Sequence, residues 1–309
     1  MKIAFFTEGG YTGKVPRNNP NMRTDQAWIC ALDATHYHVS QQPSEHYDVG
    51  IVIIPKEKNR EQLVKANYPL VSNLKRVCSK VIVMQEGTHW DWMEDSIPVM
   101  VWFYNQLLEA DMLLCHNDID VKYYQGITNK PSYVMPTLML EDTIKVSDQK
   151  SESVFVAGNW HQTYRGFDAW TIGREFELPL HAFKAGKFRQ GEEITGMNYL
   201  PWMMWSDFMY ELSKHKYGVQ TYETSAGQFP LNCAYLGIPC IGYNQVNTQR
   251  ILHPDLSVEV GDVLAARKLV HKLKDDQEFY THCSNYAKEK YRELYSEEAF
   301  INNMNKILS

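Results

Sequence analysis

Cysteine is sparse and unpatterned in this 309-residue chain, which has only six, at Cys30, Cys78, Cys115, Cys233, Cys240 and Cys283. No CxxC pair occurs, which excludes a disulfide-stapled scaffold and a cysteine-rich zinc module. The six thiols read as reduced core residues of a cytoplasmic protein. No apolar run approaches the ~20 residues that a bilayer requires, so no membrane association is expected. The opening MKIAFFTEGG is too short in apolar residues for a signal peptide and reads as a first strand. GxxxxGK[ST] is missing, and so is GxGxxG after either candidate first strand, which excludes a P-loop and the dinucleotide fingerprint. Histidine and aspartate are scattered without HExxH spacing, so no metal site is read. The formal net charge of −6 excludes a protein that coats nucleic acid nonspecifically, because that binding needs clustered Lys and Arg. A local basic patch remains compatible with it.

What the chain does contain is ordinary globular material: 44% hydrophobic and 22% charged residues, with 13% aromatics. That is enough for one large domain or two of common size. Short apolar runs alternate with helical spacing. Strands are expected at residues 2–6, 36–40, 49–54, 80–84, 112–115 and 132–135, and helices after residue 24, over 61–77 despite Pro69, and over 99–109. EDTIKVSDQKSE, residues 141–152, is polar and reads as a linker. A second round begins with SVFVA at 153–157, has further strands at 217–221 and 239–243, and ends in a mostly helical tail interrupted near Ser296. The expected fold is α/β, with two Rossmann-like doubly wound domains, 1–140 and 153–309, facing across a cleft. The last helix is expected to pack back on the first domain. Ligands of open parallel sheets bind beyond the carboxyl ends of the strands, so residues just after strands carry the functional reading.

In the second half, TYETSAGQFPLNCAYLGIPCIGY sets Glu223, Ser225, Ala226 and Gly227 immediately before a helix. Small residues there let backbone N–H groups approach an anion, and the helix dipole favours negative charge. Glu223 is placed to accept from ribose hydroxyls. The plainer alternative makes Ser225 an N-cap and Glu223 a solvated loop residue. VFVAGNWHQTYRGF offers a second such turn, with Gly158, Asn159, His161 and Arg165. The fork of Arg165 suits a diphosphate, or else a surface ion pair. Lys184 and Lys187, in HAFKAGKFR, are further cations for the same charge, or an exposed loop.

These segments resemble glycosyltransferases of the two-Rossmann type known as GT-B. FPLNCAYLGIPCI, residues 229–241, is similar to the family's donor motif, with Asn232 standing where many relatives carry a ribose-binding glutamate. AGNWHQTYRG and VIVMQEG resemble the donor turn and the catalytic strand of phage enzymes that glucosylate hydroxymethylated DNA bases. The resemblance implies a nucleotide-diphosphate sugar as donor, UDP-linked by expectation, and no obligatory metal or other cofactor.

Sugar transfer needs a base for the acceptor hydroxyl. Glu86, Asp91 and His89, all following the VIVM strand, are the candidates, with Glu8 and Asp25 less favoured. Trp90 could stack on an acceptor face or fill the core. Gly9 and Gly10 open a loop carrying Lys14, Arg17 and Arg23 with no acid between Gly9 and Thr24. Such a loop suits a polyanionic acceptor; a solvated loop is the alternative. DNA fits if the target base is flipped out. The expected activity is metal-independent, inverting transfer of a sugar to an acceptor hydroxyl. The acceptor candidate is 5-hydroxymethylated cytosine in phage DNA, met in the cytoplasm of the host if the chain is phage-encoded. Transfer to a bacterial surface glycan, sugar-nucleotide epimerisation and non-enzymatic ligand binding between two domains stay open. The oligomeric state is not read from the sequence.

Overall fold

The apolar runs become two parallel sheets. The structure is a computed structural model describing the chain except residues 10–11, 56, 90–91, 93–94, 158–159, 161–163, 184–190 and 224–225, and the side chains of 57–60. Met1–Asn19, Arg23–Pro136 and Phe300–Ser309 form one unit, and Pro20–Met22 with Thr137–Ala299 form the other.

In the first unit β1 (Ile3–Thr7), β2 (Thr35–His38), β3 (Tyr47–Ile53), β4 (Cys78–Gln85), β5 (Met112–Cys115) and β6 (Ser132–Val134) lie in the order β2-β1-β3-β4-β5-β6. Every pairing is parallel. Such sheets are covered on both faces, which is why their strands read as unbroken apolar runs. Among the described residues the accompanying α-helices are α1 (Thr24–Ala31), α2 (Glu57–Lys65), α3 (Leu70–Leu74), α4 (Ile97–Glu109) and α5 (Asp118–Thr128). The single helix expected over 61–77 is in fact two, α2 and α3. Pro69 occupies the N-cap of α3; it has no N–H to donate and disfavours helical geometry at Tyr68. Sequence patterning gives no sign of α5, whose DIDVKYYQGIT lacks a clean apolar period. Asp118 and Asp120 sit in its first turn, where the helix dipole favours them.

The second unit holds β7 (Ser151–Val156), β8 (Leu180–Phe183), β9 (Asn198–Leu200), β10 (His215–Gln220), β11 (Cys240–Tyr243) and β12 (Ser257–Val258). Their order is β12-β11-β10-β7-β8-β9, again all parallel. The helices are α6 (Gly166–Arg174), α7 (Trp205–Leu212), α8 (Gln228–Leu236), α9 (Asn247–Leu252), α10 (Val263–Asp275) and α11 (Gln277–Leu294). The chain ends in α12 (Glu297–Leu308), which from Phe300 on belongs to the first unit. α11 and α12 part at Tyr295 and Ser296, where the tail is expected to break. β7 begins inside the stretch expected to be linker, because Ser151 pairs with His215 of β10. Val154, Val156, Val219 and Ile241 pack with Ala169 and Ile172 of α6 and Ala266 and Val270 of α10.

This strand order is that of a doubly wound sheet built from two halves. The chain leaves β7 toward β8 and β9, then returns to place β10 on the other side of β7. Loops after β7 and β10 therefore diverge at the reversal, where such sheets open a binding crevice. Among the described residues no helix is long and apolar enough to cross a membrane.

Candidate functional site

Both turns singled out in the second half of the sequence leave the sheet at this reversal. The first follows β7 and leads into α6; the second follows β10 and leads into α8. Each helix starts from a left-handed residue. Arg165 caps α6 at φ 45°, ψ 47°, and Gly227 caps α8 at φ 73°, ψ 25°. No described side chain caps either helix. Two helix starts thus emerge from adjacent strands, a geometry that can turn first-turn N–H groups toward an anion.

Arg165 joins the two turns. Its Nε donates to Asp168 Oδ2 at 2.7 Å and its Nη1 to Glu223 Oε1 at 2.5 Å. Tyr243 Oη, at the end of β11, donates to Asp168 Oδ2 at 2.7 Å, and the guanidinium lies 5.8 Å from the Tyr243 ring centroid. Hydrogen bonds to Asp168 and then Glu223 raise the Arg165 pKa still further. The Thr221 hydroxyl donates to the Arg165 carbonyl at 3.0 Å, holding the left-handed cap against the end of β10. The structure thus brings together Arg165 and Glu223, both flagged in the sequence, as an ion pair with each side chain 32% exposed. Asp168 and Tyr243 are additions that the sequence does not announce. The i,i+3 spacing of Arg165 and Asp168 is the one local signal for the first; Tyr243 has none beyond its place at a strand end.

Gly227 is enclosed by α9. Its carbonyl accepts from Thr248 Oγ1 at 2.8 Å. A Cβ at this position would run into that hydroxyl and lie 3.0 Å from Val246 Cγ1. Gly227→Ala combines this clash with an unfavourable positive φ. We expect a loss of about 2–3 kcal/mol, read as a lower urea midpoint than wild type. Ala226, half-buried, precedes it. Asn232 is buried on α8, and its Oδ1 accepts from Gln228 Nε2 at 2.8 Å, while Gln228 Oε1 accepts from Thr137 Oγ1 at 2.8 Å. Gly158, Asn159, His161, Lys184 and Ser225 lie outside the described residues.

In the first unit the candidates follow β4 and β5. Glu86 comes directly after β4, and its charge acts on Asp25 and Arg23 at the start of α1. Burial first, and the Glu86 charge second, push the Asp25 carboxyl up. Desolvation draws the Arg23 guanidinium down, with Asp25 and Glu86 opposing. Thr24 between them is β-branched yet has φ +49°, a strained conformation for such a residue.

His89 is more firmly placed. Its Nδ1 lies 2.8 Å from Asp120 Oδ1, which also accepts from the His89 backbone N–H at 3.1 Å. Asp120 is buried, and its Oδ2 accepts from Asn117 Nδ2 at 3.2 Å. The imidazole stacks on Tyr123 at 4.5 Å. A carboxylate only accepts, so Nδ1 donates to it, which in the neutral ring leaves the Nε2 lone pair for a proton. A base oriented by a buried carboxylate is a recurring catalytic arrangement. Asp120 is missed by sequence patterning along with α5. So is the DxD spacing of Asp118, Ile119 and Asp120, whose second carboxylate is spent on His89 and Asn117. Asp91 and Trp90 lie outside the described residues.

The loop after β1 is less uniformly basic than its sequence. Lys14 is paired with Asp33 at 2.6 Å, while Gly13 forms a two-way backbone bridge with His36. Arg17 is exposed; Arg23 is exposed along its stem, while its guanidinium lies in the desolvated neighbourhood of Asp25 and Glu86. Gly9 N–H donates to Thr7 Oγ1 at 2.9 Å. Gly10 lies outside the described residues.

No family model and no curated protein matches the chain by sequence, but solved structures do. A sucrose-phosphate synthase from Thermosynechococcus elongatus aligns with a TM-score of 0.71 at 10% identity, over 99% of this chain and 98% of that one. An α-glucosyltransferase in complex with UDP and a 13-mer DNA containing an HMU base aligns at 0.66 and 11%, over 100% and 99%. Staphylococcus aureus TarM, solved with fondaparinux, α-GlcNAc-glycerol and UDP, aligns at 0.62 and 10%, over 84% of this chain; the chain spans about half, 55%, of TarM. At such identity the likeness shows the fold: two Rossmann-like units, as the strand and helix pattern leads one to expect, of the GT-B type that the motif resemblance implies.

Proposed function

We propose that the chain transfers a sugar from a UDP-sugar to an acceptor hydroxyl. The observation that carries this reading is the pair of left-handed helix starts at the β7/β10 reversal, with Arg165 joined to Glu223 between them. The diphosphate sits on the N-termini of α6 and α8 and takes Arg165 as its counter-charge, with Lys184 and the turn at Gly158, Asn159 and His161 beside it. Glu223, given up by Arg165, then accepts from the ribose hydroxyls. Solved structures of the same fold that hold UDP support the choice of nucleotide.

The first unit supplies the acceptor side. His89 Nε2 takes the proton of the acceptor hydroxyl as that oxygen attacks the anomeric carbon. The bond from that carbon to the phosphate oxygen breaks, and UDP leaves with the electron pair. Asp120 holds the imidazole and stabilises the imidazolium. Glu86 and Asp25 orient the hydroxyl. One displacement of this kind inverts the anomeric centre, and with Arg165 and the helix starts meeting the charge it proceeds in EDTA.

For the acceptor we favour the hydroxymethyl group of a modified pyrimidine in DNA, contacted by Arg17 and Arg23. The DNA-bound α-glucosyltransferase of this fold supports the choice, and a phage-encoded enzyme in its host's cytoplasm would meet both substrates. TarM's complex keeps a glycan as the second acceptor to test.

The test is UDP release from UDP-glucose and UDP-GlcNAc, each offered with 5-hydroxymethylcytosine DNA and with GlcNAc-terminated glycans. Mass spectrometry of the products identifies the acceptor, and the anomeric proton coupling gives the stereochemistry. Absence of UDP binding by calorimetry would sink the reading; a retained anomer would remove only the single-displacement step. Arg165→Ala should weaken UDP binding by about 10- to 100-fold, the worth of charge-assisted bonds to a diphosphate.

A further inference from the structure

Helix α4 reads IPVMVWFYNQLLE and has one charged residue, Glu109, at its last position. A helix on the outside of a parallel sheet normally shows charge to solvent; α10, also thirteen residues long, carries five charged residues. The inner face of α4 is accounted for, since Val99, Trp102, Phe103, Gln106 and Leu107 are buried. The outer face is mostly apolar as well, with Asn105 and Glu109 the exposed polar residues beside it. Ile97 is 71% exposed, Val101 54%, Tyr104 38% and Leu108 37%. Steps of four, three and four residues put these side chains in one row about 16 Å long. Tyr104 Oη donates to the Ile127 carbonyl at 3.1 Å, and Ile127, itself 38% exposed, extends the row onto the end of α5.

The row is symmetric about its own middle. Ile97 and Leu108 stand equally far from the point between Trp102 and Phe103, and so do Val101 and Tyr104. An antiparallel two-fold contact therefore sets Ile97 against Leu108 of a second copy, and Val101, the smallest, against Tyr104, the largest. A two-fold interface needs a surface complementary to itself, which this row is. These five side chains expose roughly 500 Å² per copy, or about 1,000 Å² for two. That stands near the roughly 1,000 Å² floor for a biological contact, and flanking residues have to add to it to reach the ~1,200 Å² of a stable interface. A lipid surface fits less well, because helices that lie on membranes carry Lys and Arg beside the apolar face and α4 has neither.

We propose that a second copy of this chain covers this row in an antiparallel α4–α4 contact, making the protein a two-fold dimer. Sedimentation velocity over a concentration series should show a monomer–dimer equilibrium. Val101→Asp should raise the dimer Kd by about 100-fold or more, since symmetry buries the new charge twice. Its thermal melt should match that of wild type diluted below the dimer Kd, because residue 101 faces solvent in the single chain and only the association is lost. In a Cys30→Ser background, mixing Ile97→Cys with Leu108→Cys chains should form the mixed disulfide in preference to either self-pair. A monomer at every concentration overturns the proposal, as does a dimer indifferent to Val101→Asp that yields no mixed disulfide. A monomer that floats with phosphatidylcholine vesicles also overturns it and assigns the row to a lipid surface.

Discussion

Asp120→Asn should lower kcat by about 10³-fold or more while leaving UDP affinity unchanged. Both oxygens of Asp120 accept, one from His89 and the other from Asn117. An amide replaces one acceptor with a donor. If the NH₂ faces His89, Nδ1 has to accept, the proton moves to Nε2, and the lone pair that receives the acceptor's proton is gone. If it faces Asn117, the geometry survives but the negative charge that stabilises the imidazolium does not. Losses of that size follow the same exchange in serine-protease-type triads. His89→Ala should match the loss, and the double variant should be no worse than either alone, because the two residues act as one unit. A purely structural Asp120 would instead lower the urea midpoint and UDP binding along with kcat. Full activity in Asp120→Asn would remove His89 from the base role.

Acid should begin to destabilise the second unit below about pH 6.5, before ordinary carboxylates titrate. Burial lowers the pKa of His215 to about 4, with His181 and Lys214 adding repulsion, and burial likewise lowers His253 to about 4. His215 Nδ1 is 2.8 Å from Ser153 Oγ, with the His181 ring at 4.6 Å. His253 Nε2 donates to the Pro230 carbonyl at 3.0 Å, and its buried Nδ1 has no partner among the described residues. Both imidazoles are neutral when folded. Unfolded, each takes up a proton near pH 6.5, so the unfolded state binds more protons below that pH. Stability is unaffected above about pH 6.5, falls as the pH drops toward 4, and levels off below it. Each group costs on the order of 3 kcal/mol over that window, and together they take a large share of the 5–15 kcal/mol that holds a domain. Urea midpoints measured from pH 7.5 to 4 should fall steeply in wild type and much less in His215→Gln/His253→Gln. Equal slopes in the two proteins would show that these histidines do not drive acid unfolding.

Features set by neighbours along the chain are legible in the sequence by itself. The strand ends before Glu86 and Glu223, the glycine turn at Gly227, the break near Ser296 and the cation at Arg165 all follow from local chemistry: apolar runs, backbone freedom and proton affinity. Where local signals are weak, elements are misread or lost. Pro69 divides what looks like one helix, β8 and β9 have only four and three residues, and α5 has no clean apolar period. The partners of the functional groups are beyond the sequence. His89 meets Asp120 across 31 residues, Arg165 meets Glu223 across 58, and Ser153 meets His215 across 62. Strand order and register place those side chains together, and periodicity carries no record of either. The sequence alone thus determined two parallel α/β units and which loops end their strands. Only the tertiary structure decided that Glu223 sits on Arg165 and that a buried carboxylate aims His89, because both depend on which strands lie side by side.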